Sequence, residues 1–130
     1  GPQPLRSGDV VGAGDVLQLR VRRADASHGV VVSVDGSGAV TRHFPDGADT
    51  ALPTATASLP FSFELDDAPG YERFFLVTSS APIDVDAVVR AASALARKPG
   101  AETAVLALPT GLRQSDVLLR KRVPDATSTK

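Results

Sequence analysis

The chain has 130 residues, 42% of them hydrophobic and 22% charged, with a formal net charge of −1 and no cysteine. That is the size of one domain with one core, and it excludes disulfide frameworks, thiolate metal sites and a cysteine nucleophile. Arg and Asp are scattered, which argues against nucleic acid or an anionic membrane surface as partner, and no apolar run approaches the ~18 residues of a bilayer-spanning helix.

Gly1-Pro2 reads as the remnant of a cleaved purification tag, residues 3–124 as a single domain and 125–130 as a flexible tail. Asn is absent, Ile occurs once and Arg greatly outnumbers Lys, a bias that fits a GC-rich bacterial genome.

In chain order, Leu17, Leu19 and Val21 alternate with Gln18, Arg20 and Arg22, which predicts a strand over 15–22 with one face in the core. Val30, Val32 and Val34 share a face, Asp35-Gly36-Ser37-Gly38 supplies turn residues, and alternation resumes at Val40, so 28–44 predicts a hairpin. Residues 45–58 hold Pro and small residues without periodicity and read as a long surface connection. Phe61, Phe63 and Leu65 alternate with Ser62 and Glu64, predicting a short strand with Glu64 in water.

Residues 74–77 are all apolar and predict a central strand covered on both faces. Val85, Val88, Val89, Ala92, Leu95 and Ala96 form a stripe at helical spacing over 84–98, with Asp84 placed to cap it and Pro99-Gly100 to end it. The runs 103–109 and 116–123 are expected to complete the sheets. The sum is a mainly β chain: a β-sandwich of six to seven short, mostly antiparallel strands, with one helix covering a face or plugging an end.

Asp66 and Asp67, with Glu64 and Glu72 nearby, supply carboxylates for acid-base work in principle. Beside Pro69-Gly70 they also suit a tight connection between strands, since Asp bonds its own following amides and Gly accepts positive φ; that is the reading we adopt. A calcium site wants more oxygen ligands at regular spacing. His28 and His43 lack a clustered third ligand and read as surface residues. No Ser lies in a G-x-S-x-G elbow, and neither "GAG" at 12–14 nor "GSG" at 36–38 leads into a helix, so both are turns and not phosphate loops. "RKR" at 120–122 reads as a solvated or protected edge, and one Tyr with no Trp offers little stacking platform. No catalytic residue, metal or cofactor is expected.

The order "AGDVLQLRV", "GVVVSVDGSGAVTRHFP", "LPFSFELDD", "PGYERFFLVTSSAP" resembles a bacterial family of domains of unknown function, over roughly Gly8 to Pro82. The positions that carry the resemblance are Gly14, Asp15, Asp35, Gly36, Phe44, Pro45, Leu59, Pro60, Gly70 and Glu72. Such domains lie C-terminal to membrane-anchored anti-sigma factors, kinases and caspase-like modules. The resemblance implies a periplasmic or extracytoplasmic, non-enzymatic sensory or protein-interaction domain of a membrane-anchored regulator, with a protein or envelope signal as partner. Two alternatives stand beside it. One is a saccharide- or peptide-binding module with a cleft between the 45–58 connection and Asp66, Asp67 and Tyr71; the other is a hydrolase pairing Asp66 or Asp67 with Glu72.

Overall fold

The computed structural model describes residues 7–21, 26–52, 57–67 and 70–122, with backbone alone for 18–21 and 57–62. The strands are β1 (Val10–Val11), β2 (Val16–Val21), β3 (His28–Asp35), β4 (Val40–Phe44), β5 (Ala57–Glu64), β6 (Tyr71–Ser79) and β7 (Arg113–Lys121), with helix α1 (Val85–Ala96) between β6 and β7. They form a five-stranded sheet in the order β1-β7-β6-β3-β4 and a two-stranded ribbon of β2 and β5. All pairings are antiparallel except β1 with β7. The expected sandwich is present, and α1 covers a face.

β6 is flanked by β3 and β7, and this explains its unbroken apolar run. Successive side chains point to opposite faces. Phe75 and Val77 therefore join Val30, Val32 and Val34 beneath Val85, Val88, Ala92 and Leu95 of α1. Phe74 turns the other way, to Val11, Leu65 and Leu119 under the ribbon. A third group, Val31 with Leu52, packs against Phe44 and Leu76. Full burial of a side chain such as Phe75 contributes about 2 kcal/mol or more.

The β3–β4 turn shows why Asp and Gly stand where they do. Gly38 N–H donates to Asp35 O and Asp35 N–H to Ala39 O, while Gly38 takes φ of 88°, giving a three-residue hairpin loop that ends in a left-handed residue. Asp35 Oδ1 accepts from Ser37 N at 2.9 Å, Ser37 Oγ at 2.6 Å and Ala39 N at 3.1 Å. Asp84 caps α1, accepting from Ala87 N.

Four expectations are corrected. Residues 103–109 form no strand, because Gln114 stands in for a neighbouring backbone. Its Oε1 accepts Leu106 N–H and its Nε2 donates to Leu106 O, both at 2.9 Å, while Arg73 Nη1 donates to the carbonyls of Ala101 and Ala104. β5 begins at Ala57, four residues early, and tolerates Pro60 because β2 is its one strand partner among the described residues. At Arg120 and Lys121 β7 is flanked by β1, so the solvated edge expected there is covered by a further strand. His43 is 8% exposed rather than on the surface.

Candidate functional site

The chemistry-bearing side chains gather between the five-stranded sheet and the ribbon, near the turn end of β3. Asp35 and Glu72 face each other in register across β3 and β6. Asp66 follows β5, and one carboxylate oxygen from each of the three lies within 4.8 Å of the others. Glu72 is 2% exposed and Asp35 4%, whereas Asp66 is exposed.

Lys121, from β7, supplies the cation. Its Nζ lies 2.7 Å from Asp66 Oδ1 and 3.3 Å from Glu72 Oε1. The second contact is the longer of the two, and Glu72 Oε1 makes no well-formed hydrogen bond. Burial pulls the Lys121 ammonium down, but the hydrogen bond from Asp66 and the charge of Glu72 outweigh it, so the net shift is upward. For Glu72, burial dominates and raises the carboxyl above its usual value. The Asp35 charge adds to this, against the Ser33 hydroxyl and Lys121. A hard divalent cation takes about six or more oxygens. With Asp35 Oδ1 accepting three hydrogen bonds and an ammonium already between Asp66 and Glu72, these residues do not fit one.

Ser33 Oγ lies 2.7 Å from His43 Nε2, a distance familiar from nucleophile-base pairs. Ser33, however, is 0% exposed, so its hydroxyl is closed to solvent. His43 packs edge-on to Phe63 at 4.5 Å and beside Phe74 at 5.2 Å, and burial drives its imidazole down to about 4. It is neutral at physiological pH.

The residues singled out from the sequence are partly brought together. Asp66 joins the cluster, Asp67 is exposed beside it, and Tyr71 points to the helix side of the sheet, into the core beneath α1. Burial, then the charges of Glu102 and Asp35, raise the Tyr71 phenol. Thr50, from the 45–58 connection, bonds His28 and Ile83 at the far end of β3, roughly 24 Å from Asp35 along the strand. The described parts of the two loops therefore line no common cleft. An open cleft of about 240 Å³ lies instead at the far end, beside Arg42, Gly47, Ile83, Asp84 and Asp86.

Ser33, Asp35, His43 and Lys121 were not legible as a group. The signal for Glu72 was its parity with Phe74 and Leu76 on a strand buried on both faces, which obliges it to be buried as well.

Several turn and strand positions singled out in the sequence meet at this end. Asp35 opposes Glu72, Gly36 N–H donates to Tyr71 O, and Gly14 N–H donates to Leu65 O, whose own N–H donates to Asp15 O. Among the described residues no helix is long and apolar enough to cross a membrane. No family model, no curated protein and no solved structure matches the chain.

Proposed function

We propose that the domain is a non-enzymatic, extracytoplasmic sensory or protein-interaction module of a membrane-anchored bacterial regulator of the anti-sigma-factor kind, and that it docks a protein partner along the outer edge of β4. The observation that carries this reading is the place of β4, last in the sheet order with β3 as its one strand neighbour among the described residues. Asp35 N–H donates to Ala39 O at the turn, so by the alternation of antiparallel ladders Ser33 and Thr41 are the next hydrogen-bonded pair and the main-chain groups of Val40 and Arg42 face away from β3. An edge of this kind is what an added strand recognises. Apart from exposed Asp66, the polar cluster is turned inward, between sheet and ribbon. The membrane-anchored, periplasmic setting is supported by the resemblance in the Gly8 to Pro82 motifs alone.

Because the chain has no cysteine, Arg42→Cys gives a unique label on the exposed side of that edge. With a short cross-linker on this position, the domain is expected to capture one envelope protein, and unlabelled domain to compete for it. Capture that is equally efficient from a label at exposed Arg97, on the C-terminal end of α1, would sink the edge reading. In the encoding gene, an apolar span of about 20 residues upstream is the corresponding expectation.

A further inference from the structure

We propose that the domain cross-links itself: the Lys121 amine and the Asp66 carboxyl condense to an amide between the two side chains, with Glu72 as proton carrier, and so tie the end of β7 to the segment after β5. This is a single self-modification without turnover, and it stands independently of the docking reading.

The geometry carries it. Lys121 Nζ lies 2.7 Å from Asp66 Oδ1 and 3.3 Å from Glu72 Oε1, so nucleophile, acyl group and proton carrier meet at one nitrogen. The Lys121 side chain is 4% exposed and that of Glu72 2%, and Glu72 Oε1 makes no well-formed hydrogen bond, so this oxygen is open to a proton from Nζ. Both backbones are pinned. Lys121 N–H donates to Gly70 O, while Leu65, the neighbour of Asp66, donates to Asp15 O and accepts from Gly14 N–H. Reactants so oriented act at effective concentrations of about 10⁵ M or more. Asp66 is the acyl partner because its contact is the shorter and its side chain is 57% exposed, which gives the released water an exit that Glu72 lacks.

The ammonium carries three hydrogens and the amide keeps one. One hydrogen passes along the short contact to Asp66 Oδ1, leaving a neutral amine that adds to Asp66 Cγ. As the C–N bond forms, a second passes to Glu72 Oε1. Glu72 returns it to Oδ1, which leaves as water while the other oxygen becomes the amide carbonyl. Ammonium and carboxylate thus give amide and water, with Glu72 unchanged. Burial, with the Asp35 charge adding to it, raises the Glu72 carboxyl, which suits it to hold the proton between the two transfers. Burial also favours the neutral Lys121 amine, but the Asp66 hydrogen bond and the Glu72 charge outweigh it, so the pair rests as ions and the step is slow. The structure shows the pair before this step, and the pH-dependent stability of the Glu72 carboxyl belongs to that precursor.

The test is an intact-mass time course on the folded wild-type domain, held below its melting temperature. The expected result is the loss of one water. Trypsin, which cuts after Arg and unmodified Lys, should then release residues 43–73 joined to Lys121-Arg122, and fragmentation should place the branch at Asp66. Asp66→Asn should give the same product by loss of ammonia, while Asp66→Ala and Lys121→Met should keep their full mass. Glu72→Gln should slow the reaction by about 100-fold or more. A folded wild-type domain that keeps its full mass to the end of the course, water lost without a joined peptide, a branch at Glu72, or an unslowed Glu72→Gln would overturn the proposal. Should a variant fail to fold, the wild-type mass and the position of the branch decide the matter.

Discussion

Ser33 Oγ and His43 Nε2 stand 2.7 Å apart in the layer between sheet and ribbon, in a site where the imidazole is held neutral. Its value falls from 6.5 to about 4, so the unfolded chain binds this proton more readily than the folded one. The contribution is fully present above pH 6.5 and is lost as pH falls towards 4, on the order of 3 kcal/mol in all. Urea unfolding at a series of pH values should show this loss, and His43→Gln, which is neutral throughout, should flatten it.

Glu72 works in the opposite direction. Its folded value is raised, so its contribution is complete below the usual 4.5 and declines as pH rises through the folded value. Glu72→Gln should therefore stabilise the domain most at neutral pH and least in acid. Comparing denaturation midpoints of the two proteins at each pH checks the sign.

Two ion pairs should differ widely in worth. Arg73 is 3% exposed, pairs with Asp116 at 2.9 Å, holds the carbonyls of Ala101 and Ala104, and lies 4.3 Å from the Phe75 ring centre. Arg73→Met leaves those acceptors without donors and should cost about 3 kcal/mol. Arg120 pairs with Glu102 at the surface, and Arg120→Ala should cost less than about 1 kcal/mol. Thermal melts of both variants decide the contrast.

Gln114 replaces a strand for Leu106, so its removal should act locally. Gln114→Ala is expected to cost about 1 to 2 kcal/mol. It should also speed hydrogen exchange at the Leu106 amide far more than at Val77 in the sheet centre. Equal acceleration at both positions would show global loosening instead.

A Cβ on Gly29 would meet Leu52 Cδ2 at 2.9 Å. Gly29→Ala should cost about 1 to 3 kcal/mol by overpacking, and a second change, Leu52→Ala, should make the first nearly free. A double-mutant cycle by urea denaturation measures that coupling.

Period-two alternation made most of the fold legible, because a residue's parity on a strand decides its face before any partner is known. It found β2, β3, β4 and the core run 74–77, and the helical stripe with Asp84 found α1. What it missed depends on distant partners. Two-residue β1 is defined only by β7, and the 103–109 run was apolar enough for a strand until Gln114 took its hydrogen bonds. His43 looked solvent-facing because alternation from Phe44 assigned one face to water, whereas the ribbon covers that face too. Asp66 was readable as a turn residue, but its ion pair with Lys121, 55 positions later, was not.

The sheet order also bears on synthesis. β6 receives β3 from the chain already made, but its other side waits for β7, with Phe74 opposite Val117 and Leu76 opposite Ser115. A ribosome paused before Arg113 would thus hold out a bare, oily strand margin open to any neighbouring chain. The arrival of Lys121 both closes that margin and delivers the counter-ion to acids laid down much earlier, so assembly and charge balance finish together.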